Sequence, residues 1–174
     1  MRKNQCHVVN LVQVVVNNLC KNYFKVKIKK MDIEIKSVEN SDYESIIDLL
    51  KDSSLPFTDI PVNLPHFFKA ELDGIIVGTI GLELYNEYAL LRSLTVKEET
   101  KNNGLGKLLI NKVFTYTSEN NIKEIYLLTT TADKYFEKIG FELINREQVP
   151  IKIKESQQFI ETCPSTAFVL KKII

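Results

Sequence analysis

The chain has 174 residues, enough for one domain with a tail and too few for two. Its 44% hydrophobic and 26% charged residues make a globular composition able to bury an ordinary core. With 23 Lys and Arg against 22 Asp and Glu, no overall charge excess points to nucleic acid.

The charges are unevenly placed. Residues 1–30 hold seven basic side chains (Arg2, Lys3, Lys21, Lys25, Lys27, Lys29, Lys30) and no acid, which leaves 16 basic and 22 acidic groups in residues 31–174. The apolar middle of this basic segment is broken by Asn10, Gln13, Asn17 and Asn18, and no small-x-small cleavage site follows it. Residues 1–30 are expected to be a dispensable extension ahead of a domain that opens at Met31. An added helix or strand and a targeting segment are the alternatives. Cys6, Cys20 and Cys163 form no C-x-x-C pair, and His7 and His66 are far apart, so neither a disulfide framework nor a metal site is expected. No apolar run is long enough to span a membrane, and the body reads as a soluble protein of the cytoplasm with no membrane partner.

Residues 32–37 alternate Ile33 and Ile35 with polar neighbours, the pattern of a half-buried strand. Asn40 or Ser41 then caps a helix with Ile46, Ile47, Leu49 and Leu50 on one face, and Glu44 completes a capping box with Ser41. Pro56 and Pro61 make residues 53–64 a loop. Residues 66–72 and 75–85 read as strands joined at Asp73-Gly74, and Asn86-Glu87 turns into a third strand over 88–96. A helix follows over 104–119, with Leu105, Leu108, Leu109, Val113 and Phe114 as its apolar stripe and Asn120-Asn121 as its stop. Residues 125–130 form an apolar strand, 132–138 a second helical piece ended by Gly140, and 141–144 another strand. Residues 149–161 are irregular with a short helix, and 167–170 are a last strand. The order is that of an α/β domain.

Chemistry is concentrated in residues 93–110, an apolar strand, a polar connection, and then Asn102-Asn103-Gly104-Leu105-Gly106 opening a helix. Glycines there admit close approach of a ligand to the backbone. The unpaired N–H groups of the first turn, with the positive end of the helix dipole, favour a phosphate or pyrophosphate, and Lys101 and Lys107 add charge. The spacing is neither that of a P-loop nor G-x-G-x-x-G.

With the triplet Leu94-Thr95-Val96 before Lys101-Asn102-Asn103-Gly104-Leu105-Gly106, and Gly140-Phe141 closing a second motif that begins at Ala132, residues 31–145 resemble the GNAT superfamily of acetyl-CoA-dependent N-acetyltransferases. Lys101 stands where the family has Gln or Arg, and Phe136 where many members have a tyrosine. Residues 90–94 (LLRSL) and 126–132 (YLLTTTA), Tyr135-Phe136, Arg146 with Val149-Pro150, and Phe159 with Cys163-Pro164 look like the arsenic-resistance type. Ser54-Leu55-Pro56 with Asp59 looks like that type's loop.

The resemblance implies a GNAT fold: a mixed, mainly antiparallel sheet with splayed central strands and flanking helices. It also implies acetyl-CoA as co-substrate, bound by Leu94, Thr95 and Val96 through backbone amides and by Lys101, Asn102, Asn103, Gly104, Leu105, Gly106 and Lys107 at its diphosphate. The acceptor would be a primary amine of a small amino-acid-like molecule, handled by a monomer or homodimer. A protein or peptide amine, or a coenzyme-binding module without turnover, are the rival functions.

An amine with a pKa near ~10 must lose a proton before it attacks. Glu83 is the candidate base, or else an ordinary partner of Arg92. Arg92, a charge inside an apolar strand, either binds an anionic group of the substrate beside Ser93 or pairs internally with Glu83. Phe136 has no proton to give, and Tyr135, one residue earlier, is expected to point ~100° away. Cys163 is expected to be a small buried hydrophobe and His66 structural.

Overall fold

The computed structural model describes residues 33–174, so the expectations for residues 1–30, with Cys6, Cys20 and His7, lie outside the described residues. Alternation lays down β1 (Glu34–Ser37), an edge strand of the sheet. A tight turn at Asn40–Asp42 leads into α1 (Tyr43–Asp52), which buries Ile46, Ile47, Leu49 and Leu50. The capping box is not the expected Ser41–Glu44 pair. It joins Glu39 and Asp42, whose carboxylate accepts the Glu39 backbone N–H at 2.8 Å. Lys69 decides this: it holds Asp42 at 2.9 Å across 27 residues of chain, a tertiary bond that local spacing does not display.

β2 (Phe67–Leu72) and β3 (Ile75–Tyr85) form an antiparallel hairpin. Its turn residues Asp73 (φ 52°) and Gly74 (φ 76°) are both left-handed, as a type I′ turn demands. β4 (Tyr88–Val96) returns after Asn86, and α2 (Leu105–Glu119) and β5 (Glu124–Thr129) follow. Then come α3 (Asp133–Lys138), β6 (Glu142–Ile144), α4 (Ile151–Lys154), a π-helical turn at Gln158–Thr162, and β7 (Phe168–Ile173). At the end of α3, Gly140 (φ 90°) donates to the Glu137 carbonyl at 3.0 Å, and Phe141 donates to that of Phe136 at 3.1 Å. This paired closure is the Schellman motif, and it fixes the direction of the chain into β6.

The seven strands lie in the order β1-β2-β3-β4-β5-β7-β6, antiparallel except for the β4–β5 pair. Alternate side chains leave opposite faces. On one face Phe68, Ile80, Leu91, Leu127 and Leu170 pack with Leu105, Leu109, Ile110 and Val113 of α2 and with Phe136 of α3. On the other, α1 packs over Phe67, and Ile153 of α4 packs over Leu90, Tyr126 and Val169. The buried stripe of α2 differs from expectation. Leu108 is 43% exposed and Ile110 is buried, because the stripe runs along Leu105, Leu109, Val113 and Thr117. Thr117 can continue it because its hydroxyl donates to the Val113 carbonyl at 2.9 Å.

Gly81 of β3 lies directly opposite Phe67 of β2, whose ring covers it. A Cβ there would lie 2.4 Å from the Phe67 ring, which is itself buried. Gly81→Ala is expected to cost about 1–3 kcal/mol by overpacking. Urea melts check it, and adding Phe67→Leu should recover part of the loss.

Candidate active site

β4 and β5 pair in parallel only as far as Leu91 and Leu127. Beyond that point β4 continues through Arg92 to Val96 without a neighbour on the β5 side, so a wedge opens at the centre of the sheet. A bulge makes β4 turn there: Thr79 pairs with Thr95 and Gly81 with Arg92, so two steps on β3 face three on β4. The extra residue falls at Ser93-Leu94, and Ser93 has a left-handed φ of 57°. On the side facing β5, the backbone of residues 92–96 therefore completes no ladder, while its other side stays paired with β3.

The wedge runs into the start of α2. Gly104 occupies the N-cap position at φ 83°, and no side-chain cap bond is made there. The first helical bond is the Leu108 N–H to the Gly104 carbonyl at 3.1 Å, which leaves the N–H groups of Leu105, Gly106 and Lys107 without helical acceptors. A Cβ on Gly104 would meet open space, while one on Gly106 would lie 3.3 Å from the Tyr135 hydroxyl.

The two features form one cleft of about 840 Å³. Residues 91–96, Thr100, Lys101, Asn102 and residues 104–107 line one side, and residues 127–132, Tyr135 and Phe136 line the other. Residues 53–56 close it from the α1 end, where the Ser53 and Thr95 hydroxyls are 2.6 Å apart. Gln158, Thr162, Cys163, Pro164 and Ala167 close the remaining side.

Of the residues that the sequence singles out, Leu94, Thr95, Val96, Lys101, Asn102, Gly104, Leu105, Gly106 and Lys107 line this cleft together with Arg92 and Ser93. Asn103 does not; its amide donates to the carbonyls of Thr100 and Lys101, both at 3.1 Å, and shapes the loop from within. Lys101 is exposed and pairs with Glu98 at 2.6 Å. Arg92 is 4% exposed, and its guanidinium bonds both Asp59, at 2.6 Å, and Glu83. Its Nε is buried without a partner.

Glu83 lies outside the cleft lining. One of its oxygens accepts from Arg92 and the other accepts the Tyr85 hydroxyl at 2.6 Å. Burial, reinforced by Glu83, pushes the Tyr85 hydroxyl pKa well up. Burial also pulls the Asp59 carboxyl up, but the hydrogen bond and charge of Arg92 outweigh it and hold Asp59 below the ordinary carboxylate range.

Two expectations about side chains are corrected and one strand boundary shifts by a residue. Tyr135 and Phe136 both line the cleft: their rings meet edge to face at 5.4 Å, and Tyr135 reaches over Gly106. Cys163 is a half-buried free thiol in the cleft wall, and burial raises its pKa. The strand at 66–72 begins at Phe67, because His66 is left-handed (φ 60°) and bonds the Tyr116 hydroxyl at 2.7 Å. The Thr129 hydroxyl accepts the Ala132 N–H at 2.9 Å and braces the turn ahead of α3. Sequence reasoning missed Gln158, since nothing in an irregular stretch marks which polar residue turns inward. Among the described residues no acidic, His or Cys cluster could hold a metal, and no helix is long and apolar enough to cross a membrane.

Residues 63–143 match the family model of the Acetyltransferase (GNAT) domain. An uncharacterised N-acetyltransferase of Chlorobaculum tepidum is 35% identical over 92 residues, covering 52% of this chain and 59% of that protein. N-acetylglutamate synthase of Neisseria gonorrhoeae, solved with coenzyme A and N-acetyl-glutamate, superposes with a TM-score of 0.71 at 16% identity, over 82% of this chain and 35% of that one. A GNAT-family acetyltransferase of Staphylococcus aureus superposes with a TM-score of 0.64 at 24% identity, over 82% and 99%. The chain thus spans about three fifths of the Chlorobaculum relative and a third of the Neisseria enzyme. Residues 63–143 are thus similar in sequence to a GNAT acetyltransferase domain, and the wedge-opened sheet with its helices has the GNAT fold.

Proposed function

We propose that this domain moves an acetyl group from acetyl-CoA to a primary amine of a small amino-acid-like molecule. The observation that carries the reading is the continuity of two features: the unladdered stretch of β4 and the uncapped start of α2 share one cleft. Backbone groups of residues 92–96 suit the pantetheine amides as an added strand. The free N–H groups of Leu105, Gly106 and Lys107, beside Asn102 and Gly104, suit a diphosphate. A backbone N–H at the Ser93-Leu94 bulge would polarise the thioester carbonyl, an effect for which one donor is worth ~3 kcal/mol in other enzymes.

The amine then attacks the acetyl carbon, a C–N bond forms, the C–S bond breaks, and the amine's surplus proton must leave. Both oxygens of Glu83 already accept hydrogen bonds and Glu83 lies outside the cleft lining, so the proton leaves to water rather than directly to Glu83. Phe136 has nothing to donate and the Tyr135 hydroxyl stands over Gly106 at the diphosphate end, so the thiolate is protonated by solvent. Arg92, with Ser93, presents its unpartnered Nε to an acceptor oxygen of the substrate.

Closure by residues 53–56 and the Ser53–Thr95 bond favours a small molecule over a peptide. Arg92, Thr129, Cys163 and Pro164, which belong to the segments that resemble the arsenic-resistance type, lie along this cleft, and we extend the acceptor class to phosphonate- and arsonate-bearing amino acids. Thiol release from acetyl-CoA against a panel of such amines is the test. Release with an amino-acid amine is expected; saturable acetyl-CoA binding without release from any amine would make the domain a coenzyme-binding module.

A further inference from the structure

The π-helical turn at Gln158–Thr162 supplies the cleft wall opposite the residues already assigned. Such turns cost regular hydrogen bonding and occur often at functional sites. This one is built to be rigid. The Cys163 N–H closes it onto the Gln158 carbonyl at 3.0 Å. The Arg146 guanidinium lies 4.7 Å over the Phe159 ring and donates to the Pro164 carbonyl at 2.9 Å, gripping the turn on both sides. Within it Gln158 is only 7% exposed, lines the cleft, and has an Oε1 with no hydrogen-bond partner. A buried amide oxygen left unpaired costs about 1–3 kcal/mol, so the fold carries a penalty there that a bound donor would remove.

We propose that Gln158 is a specificity-determining residue whose Oε1 accepts an N–H of the acceptor amine, and that the acceptor is a molecule presenting this amine beside an oxygen that the Arg92 Nε can bond. The proposal rests on the acceptor site described under the proposed function and adds its missing contact. The chemistry suits the reaction. A carboxylate facing the amine would hold it as an ammonium ion, which cannot attack. A neutral amide oxygen orients the nitrogen without that effect. Of the nearby carboxylates, both outside the cleft lining, Glu83 accepts at both oxygens, while Asp59 gives one oxygen to Arg92 and keeps the other buried without a partner. The geometry therefore leaves one neutral acceptor, Gln158, and one donor, Arg92 Nε, as the buried unpartnered groups in the cleft lining.

Gln158→Leu in the full chain tests this with phosphonoalanine and L-glutamate as probe amines. The acceptor KM is expected to rise roughly tenfold or more, while acetyl-CoA affinity by calorimetry changes by less than about twofold. Thermal stability should hold or rise, because an apolar group of similar size replaces an unsatisfied one. Gln158→Glu should move the acidic limb of the kcat profile to higher pH, since the new carboxylate keeps the amine protonated. An unchanged acceptor KM in Gln158→Leu, or equal effects on acceptor and acetyl-CoA, would overturn the assignment. If the wild type releases no thiol, the transfer reading fails separately. Gln158 is then judged by titrating phosphonoalanine directly into both proteins: weaker binding to Gln158→Leu supports it, and equal heats, including none, overturn it.

Discussion

Gly104→Glu is expected to lower affinity for acetyl-CoA by roughly a hundredfold or more while the domain stays folded. Gly104 sits at φ 83° at the N-cap of α2, where a side chain would enter open space rather than strike the protein. The left-handed conformation costs a non-glycine residue about 1–2 kcal/mol. A carboxylate at a helix N-terminus recovers part of that through the helix dipole. The folded state is therefore nearly indifferent. The bound state is not: a negative charge within about 4 Å of a diphosphate at a partly exposed site is worth roughly 4 kcal/mol of repulsion. Gly104→Ala separates the two effects, since it carries the strain without the charge and should bind within about tenfold of the wild type. Calorimetry on the three proteins decides it, and an unchanged affinity in Gly104→Glu would remove the diphosphate site.

Arg92→Ala is expected to cost about 3–5 kcal/mol of stability at neutral pH, the usual result of leaving buried carboxylates uncompensated. The Asp59 side chain is 1% exposed and that of Glu83 27%, so the larger share falls on Asp59. In a domain of this size the melting temperature should drop by roughly 10 °C. The pH dependence has a definite sign. In the wild type the Asp59 pKa lies below its ordinary value, so its contribution is present at neutral pH and is lost as pH falls through the acid range below 3.8. In Arg92→Ala the burial that opposes ionisation remains and the counter-charge is gone, so the Asp59 pKa rises. The variant's penalty then shrinks on acidification as that carboxyl takes up a proton. The stability gap between the two proteins should accordingly narrow from pH 7 toward pH 4. A gap independent of pH would mean that Arg92 contributes packing alone. In turnover assays the same variant should raise the KM of an anionic acceptor far more than that of acetyl-CoA.

The order of elements was legible because apolar strand runs are bounded by turns that carry their own chemistry: Asp73-Gly74 and Gly140 can adopt the left-handed backbone those bends need. The start of α2 was legible for the same reason at Gly104. What escaped depends on contacts distant in sequence. The Glu39–Asp42 capping box is set by Lys69, and the pairing of Arg92 with Glu83, one of the alternatives the sequence offered, gains a second partner in Asp59, 33 residues away. The β4 bulge at Ser93 also left no trace, since an L-residue forced to φ 57° by register has no compositional mark. Tyr135 and Phe136 both reach the cleft from the six-residue α3, with their rings in edge-to-face contact, a tertiary arrangement that residue spacing alone does not display. The inward turn of Gln158 arises from a π-helical geometry that hydrophobic periodicity does not encode.

The most direct test of a coenzyme cradle at the wedge is backbone amide chemical-shift mapping of the full chain during titration with coenzyme A. The largest saturable shifts are predicted at the free N–H groups of Leu105, Gly106 and Lys107 and along Leu94, Thr95 and Val96. Shifts confined to the separate groove beside Asn145 and Phe168, or a spectrum that does not change, would contradict it.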